Sequence, residues 1–406
     1  MGYIRSMATM GTRISRGTKA MPLFRRVLLF FVLVSPIILG TCTSGTPVVN
    51  SLWTQPTVST ATWSAVGAVG FTPGATGTNI VSLAPDGTPF VEFTDWNVPG
   101  GWASVEKYQN GFWSFVGTEG FSLGTISESA FDFDANGVPY VAYQDTPSTR
   151  LVVAFYDGSS WVSPSGPQSL IGTGSASSIS LVIDNQGRPC VAFSDGTVSG
   201  GVTVIRWNTT TVSWDTLGSA GFSGIGASST SIAKDAAGNL YVAYVDGSAG
   251  NNLSVVKFDG SVWNYVGSRG FSPSSVGSPS LRIGPDGIPY VAFMDAALNE
   301  AVTVMKYVGG TWTVVGKRGF SAGWAWGPSL VVNTGDVLYV GYQDTINGNS
   351  AVVQKFTGTD WTSVGSSTGV SAGDIQSPSM AVDSSGALYI GYRDNANSSH
   401  FTVLRY

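Results

Sequence analysis

Short runs of alternating apolar and polar residues, broken by turns rich in Gly, Pro and Asp, fill the chain from about residue 62 to its end. One stretch shows the unit. Ser280-Leu281-Arg282-Ile283 stops at Pro285-Asp286-Gly287, and Ile288 to Met294 alternates and is rich in β-branched and aromatic residues. Ala301 to Tyr307 alternates again after a polar corner, and Gly309-Gly310 leads into Thr311 to Val315. Period-two alternation of this kind predicts four short strands joined by tight antiparallel turns. Between the first and last copies of the unit no segment carries helical periodicity with caps.

The unit repeats. Trp63, Trp113, Trp161, Trp214, Trp263, Trp312 and Trp361 are spaced by 50, 48, 53, 49, 49 and 49 residues. Self-similarity at such a period marks one supersecondary unit set against copies of itself, and four antiparallel strands per copy is the pattern of a β-propeller blade. The first unit opens on the outer-strand text TWSAVG, Thr62 to Gly67, whereas the last stops at FTVLRY, Phe401 to Tyr406, a third strand with no fourth after it. The first strand therefore completes the last blade, closing the ring and removing a pair of open sheet edges. An open solenoid would need polar capping repeats, and none is written. Residues 62–406 are expected to form an all-β, seven-bladed β-propeller with four antiparallel strands per blade, a single domain despite its length.

The second-strand texts GNLYVAYVD (Gly238–Asp246), GIPYVAFMD (Gly287–Asp295) and GALYIGYRD (Gly386–Asp394) carry a family likeness. The region resembles secreted bacterial β-propellers of the broad NHL-like and TolB-like kind over the whole of 62–406. That resemblance implies the fold and little about activity, because propellers host lectins, hydrolases, lyases and scaffolds.

Ahead of the repeats, Met21 to Arg26 is short and basic, and Val27 to Leu39 is apolar but too short to span a bilayer, so residues 21–41 read as a signal peptide. Met1 to Ala20 is polar, basic and unpatterned, as a start assigned upstream of a true one at Met21 would leave it. Leu39-Gly40-Thr41-Cys42 resembles a bacterial lipoprotein signal, which implies acylation of Cys42. Residues 42–61, rich in Ser, Thr and Pro, read as a flexible tether. The expected location is outside the cytoplasm, on a bacterial membrane through the lipid anchor alone, or secreted if Cys42 is not lipidated. The second cysteine, Cys190 in GRPCVAFSD, takes the strand position of Tyr140 and Tyr290 and reads as a small core residue, a disulfide to Cys42 being the alternative.

Charge narrows the partners. The formal balance is −5, but six basic residues and no acids precede Cys42, leaving 14 basic against 25 acidic residues and a net of −11 from Cys42 onward. No basic stripe remains for phosphates, so no nucleic acid is expected as a partner. A monomer is expected.

Several repeated residues invite a functional reading. Asp95, Asp145, Asp195, Asp246, Asp295, Asp344 and Asp394 each end a second strand, where the plain expectation is that they accept backbone N–H bonds in the corner to the third. A basic residue precedes an aromatic on six third strands, at Lys107, Arg206, Lys257, Lys306, Lys355 and Arg405, as an ion pair or cation–π contact within the repeat would require. Departures from the repeat point to a site more directly. GFSAGWAWGPSL (Gly319–Leu330) aligns without gaps on GFSPSSVGSPSL (Gly270–Leu281), so Trp324 and Trp326 replace Ser275 and Gly277. Trp96 and Trp102 lie in DWNVPGGW after Asp95, on a loop type that emerges on the same face. These four tryptophans either stack on a sugar or a protein partner, or cover their own loops. Asp374, aligned with Trp324 in the next linker, and Glu128 in the second-blade linker are candidate polar contacts.

Catalysis has little support. The single histidine, His400, has no partner at triad spacing, and metal-ligand clusters and Gly-rich phosphate loops are absent from the sequence. No cofactor is expected; calcium held by Asp side chains is compatible with the text but not indicated by it. The resulting expectation is a non-catalytic propeller, surface-anchored or secreted, that binds a carbohydrate or protein ligand. The alternatives are a glycan-active hydrolase or lyase using carboxylates at the channel mouth, and a structural or assembly lipoprotein.

Overall fold

The computed structural model describes residues 62–406, which form seven four-stranded antiparallel sheets, each strand paired with its sequence neighbour except where the first strand joins the last. The seven inner strands begin at Thr76, Ile126, Ala176, Ser228, Val276, Ala325 and Ile375, and each touches the inner strand of the next blade around a central channel. Cys42, the leader and the tether lie outside the described residues. Among the described residues, helix is confined to four three-residue 3-10 turns, at Gly196–Val198, Gly247–Ala249, Ala296–Leu298 and Asn395–Asn397, all in the corner between second and third strands.

Closure is as the repeat boundaries predict. Ser64 and Ala65 pair with Arg405 and Leu404 to give blade 7 its outer strand. The seam continues past that short ladder: Val66 N donates to Val403 O, Phe71 N to Phe401 O and Thr76 N to Ser399 O, at 2.9–3.1 Å. His400 belongs to this closure, with Nδ1 2.6 Å from the Thr72 carbonyl oxygen, so the one histidine has a structural partner at the ring's join.

The repeated tryptophans fasten neighbouring blades. Each indole N–H of Trp113, Trp161, Trp263, Trp312 and Trp361 donates to a carbonyl of the preceding blade, at Val66, Val116, Leu217, Val266 and Val315, and Trp63 does so to Val364, all at 2.6–2.9 Å. The ring faces also stack on the Phe of the incoming Gly-Phe linker, 4.4 Å between centroids for Phe71–Trp113, 4.1 Å for Phe121–Trp161 and 4.3 Å for Phe271–Trp312. One side chain thus satisfies its polar edge while burying its face.

Core packing follows the strand period. The second strands are buried almost throughout, and the residues of each alternate between the two flanking blade interfaces, as with Val291 and Phe293 on one side and Tyr290 and Ala292 on the other. Cys190 is fully buried in this layer, unbridged, with its thiol pushed up to about 12 by burial, as a core residue rather than a nucleophile. The cation–π reading of the third-strand bases holds at Lys257 over Tyr241, Lys355 over Tyr339 and Arg405 over Tyr389, at 4.9–5.9 Å.

Deleting Thr62–Gly67 removes blade 7's outer strand and leaves the third-strand edge unpaired, so thermal scans should show a lower melting temperature and earlier aggregation. Deleting residues 1–56 should leave both unchanged; equal melting of the two truncations would contradict closure.

Candidate functional site

Every inner strand carries a register shift two to three residues from its start, a bulge that bends the strand at one mouth of the channel. At the same mouth the linker entering each blade meets the corner after that blade's second strand. The joint is a repeated backbone bond: Trp96 N to Ala75 O, Gly196 N to Ser175 O, Ala296 N to Ser275 O, Thr345 N to Trp324 O and Asn395 N to Asp374 O. Side chains at these positions are placed by backbone that is already bonded, and only what they carry differs between blades.

The second-strand aspartates belong to this frame. Asp95, Asp195 and Asp344 accept the N–H two residues on, from Asn97, Thr197 and Ile346, at 2.9–3.0 Å. Ser104, Thr203, Ser254, Thr303 and Thr402 on the third strands donate to the second oxygen of Asp95, Asp195, Asp246, Asp295 and Asp394. Asp246 and Asp295 are also held by Arg269 and Arg318, at 2.7 and 2.6 Å. All seven carboxylates are buried. They form corners, not a ring of free acids around the mouth.

Trp324 and Trp326 differ from that frame most. Trp324 gives its carbonyl to Thr345, while its side chain is 51% exposed; Trp326, on the first turn of the blade 6 inner strand, is 47% exposed. Their rings stand nearly perpendicular, 84° apart with centroids 6.4 Å from each other. Together they wall a depression of about 570 Å³ whose other sides are the inner-strand bulges and corners of blades 4 and 5, with Ser229, Asn251, Ser278 and Glu300 as its polar lining. Asp374 and Glu128 do not reach it: Asp374 accepts from Asn395 Nδ2 at 2.9 Å in blade 7, and Glu128 accepts from Ile179 N at 3.3 Å across the blade 2–3 seam. Trp96 is 52% exposed and lies against Gly101, where an added Cβ would sit 2.6 Å from its ring; Trp102 is half-buried beside it. That pair belongs to blade 1, with blade 7 between it and Trp324. The four tryptophans therefore form two separate places rather than one.

Glu300 is the site residue that the sequence reading missed. It occupies the last corner position, φ +56°, where the other blades have Gly101, Thr149, Gly200, Asn251, Asn349 and Ser399. Left-handed backbone suits Gly and Asn and costs a longer side chain of the order of 1 kcal/mol. Its carbonyl accepts from Ala325 N, the residue between the two tryptophans, at 3.2 Å, so backbone contact ties Glu300 to the aromatic wall. The signal was present in the aligned corners, but its meaning needed the backbone angle.

Blade 1 holds two more acids out of register with the repeat. Glu92 replaces the Ala or Gly that every other second strand has three residues before its Asp; it is fully buried, accepts from Ser129 Oγ at 2.7 Å, and leaves Oε1 without a partner among the described residues. Burial pushes its carboxyl up to about 8 against the Ser129 bond, which lowers it. Glu106, on the opposite face of the same sheet, is likewise pushed up to about 8 by burial and then by Asp95 and Glu119. No group of three or more His, Cys, Asp or Glu among the described residues is arranged to hold a metal ion.

Neither a protein-family model nor a curated protein sequence matches the chain. Among solved structures it is similar to the extracellular domain of a hybrid two-component system from B. thetaiotaomicron, at TM-score 0.55 and 11% identity, over 85% of this chain and 40% of that one. It is also similar to the six-bladed fucose-recognising lectin of Aleuria aurantia, at TM-score 0.47 and 18% identity over 73% and 96% of the chains. A third likeness is to an α-L-arabinanase of Penicillium chrysogenum complexed with arabinobiose, at TM-score 0.46 and 12% identity over 82% and 98%. The likeness to the first shows the β-propeller fold; the ring of this chain has seven blades.

Glu92 yields a pH test. A carboxyl held at about 8 in the folded protein, against 4.5 in a free chain, binds its proton more tightly when folded, so its contribution to stability is full below pH 4.5 and is lost as pH rises to 8. The slope is up to about 1.4 kcal/mol per pH unit. Glu92→Gln should therefore raise the melting temperature at pH 8 and leave it nearly unchanged at pH 4.5, measured by scanning calorimetry. A parallel offset at both values would remove the buried acid from the account.

Proposed function

We propose that the propeller is a binding protein for a neutral carbohydrate, held in the depression walled by Trp324 and Trp326. The observation that carries this reading is the conjunction of two half-exposed, mutually perpendicular indoles with Glu300, a residue kept at a backbone angle that disfavours it. Indole faces stack on the apolar face of a pyranose, and Ser229, Asn251, Ser278 and Glu300 supply hydroxyl partners around it. Glu300 is the single ionisable group of that lining, so uronic and sialic acids would meet a like charge. Glycoside hydrolysis calls for two carboxylates about 5–9.5 Å apart, and this depression offers one.

A glycan-array screen of residues 43–406, followed by titration calorimetry, tests the reading. Trp324→Ala and Trp326→Ala should each weaken binding by about 1–3 kcal/mol with little change in melting temperature, as expected of exposed anchors. Truncation of a packed blade tryptophan such as Trp312 should instead cost roughly 3 kcal/mol or more of stability. Glu300→Asn should separate the two properties further, weakening binding while holding or raising the melting temperature, because Asn relaxes the left-handed corner. A large melting shift in the Trp324 and Trp326 variants with unchanged affinity would make both tryptophans structural.

The location proposed for this activity is the outer surface of a bacterial membrane, through a lipid on Cys42. Support comes from the apolar run Val27 to Leu39, the Leu-Gly-Thr-Cys ending and the Ser/Thr/Pro-rich segment that follows. Cys42→Ala should move the protein from the membrane fraction to the soluble one, and mass spectrometry should find a diacylglyceryl group on Cys42. Unchanged fractionation would leave secretion as the better reading.

A further inference from the structure

At the end of the inner strands away from Trp324 and Trp326, the central channel holds a second cavity, of about 330 Å³, framed by blades 1, 2, 5, 6 and 7. Its lining mixes half-buried apolar side chains, Ile283, Val332 and Val382 among them, with the hydroxyls of Ser82, Ser329 and Ser379, and Arg282 is the one charged residue that lines it. Arg282 departs from the repeat. On the same rung the other inner strands carry Ser82, Asp132, Val182, Ala233, Val331 and Ala381.

The charges of this part of the channel do not cancel. Asp132, in blade 2, accepts from Ile183 N at 2.8 Å, and Lys234, in blade 4, donates to Ile183 O at 2.6 Å. One carboxylate thus faces two cations, and among the described residues neither cation comes within ion-pair distance of any acid. Glu128 lies on the blade 2 strand four residues, about 13 Å, toward the other mouth. Arg282 donates through one guanidinium nitrogen to its own neighbour, Leu281 O, at 2.8 Å, and its other donors bond to nothing else among the described residues. Desolvation lowers its pKa, with Asp132 opposing. A guanidinium so placed, lining a cavity with donors to spare, has the requirements of an anion site.

We propose that this end of the channel binds a small organic monocarboxylate, its two oxygens forked on Arg282 and its hydrocarbon part against Ile283, Val332 and Val382. The fork matches guanidinium geometry in a way an ammonium cannot. Ile283, Val332 and Val382 would meet a compact hydrocarbon part of such an acid, a contact that an inorganic anion lacks. This site is independent of the carbohydrate reading, since it lies at the opposite mouth and shares no residue with it.

The experiment is a thermal-shift and calorimetric series on the purified protein at constant ionic strength, with chloride, sulfate, acetate, butyrate and benzoate as sodium salts and butylammonium chloride as the cationic counterpart. Butyrate and benzoate should raise the melting temperature saturably above chloride, acetate less, and butylammonium not at all. Arg282→Gln should weaken the carboxylate affinity at least tenfold, and Arg282→Lys should restore only part of it. Should Arg282→Gln fail to fold, Ala381→Phe, which fills the channel and leaves the guanidinium in place, should abolish the same effect. Trp324→Ala should leave it intact. Equal shifts in wild type and both channel variants, sulfate acting as strongly as benzoate, or no carboxylate shift above chloride would each overturn the proposal.

Discussion

The structure depends on one contact repeated around the ring: an indole that stacks on the phenylalanine of the linker arriving from the preceding blade and donates its N–H to that blade's outer strand. A propeller blade has no edge partner in the next blade, so the angle between sheets must be set by side chains alone. The Gly before each linker, such as Gly67 at φ +76°, lets the linker turn directly beneath the ring, where a Cβ would already lie 3.0–3.1 Å from Trp113 and Tyr108. Trp, Phe and Gly are thus one device, and their fixed spacing in the text is the spacing that the blade angle demands.

The device is incomplete at two joints: Val370 stands where other linkers have Phe, beside Trp63, and Trp214, at the end of the longest interval, makes no indole bond to a preceding carbonyl among the described residues. Blade 2's outer strand is cut to Trp161–Val162 and is followed by Pro164, so no valine carbonyl stands where Trp214 needs one. Trp214 packs edge-to-face on Trp207 instead, at 5.4 Å. Gln168 serves the longer linker, donating to Phe121 O and Trp161 O and accepting from the Tyr143 hydroxyl. The 53-residue interval from Trp161 to Trp214 holds this longer linker, and Ile171 and Trp214 pack together against the blade 2–3 core.

Legibility in the sequence followed the same division. Strands, blade count and closure rest on period-two alternation and on residues that must recur, and both survive translation from text to structure without any knowledge of tertiary contacts. The site was legible only where a departure was large and apolar, as at Trp324 and Trp326. Glu300 escaped notice because its oddity is a left-handed φ, invisible in a string of polar corner residues. Arg282 and Glu92 escaped because a single charge in an alternating strand reads as solvent-facing, whereas the ring turns that face toward a channel or a neighbouring sheet. Asp374 and Glu128 stood out by position, yet their side chains serve blade 7 and the blade 2–3 seam. Alternation fixes which face a residue takes; it does not say what covers that face.

These buried and strained departures are tolerated because closure spreads stability over seven near-equivalent joints. A left-handed Glu300, an unmatched Arg282 and a protonated Glu92 each carry a penalty of the order of one to a few kcal/mol, a large share of the margin of an ordinary domain. They fall in different blades, 5 and 1, and at different depths, so no single interface bears more than one of them except blade 5, whose Arg282 and Glu300 sit at opposite ends of the fold. Blade 5 is also among the most regular in its fastening, with Trp312 stacked at 3° to Phe271 and Asp295 gripped by Arg318. Two of the three departures thus fall in a blade whose fastening is regular. A residue held against its own preference stays in place only when everything around it is over-determined.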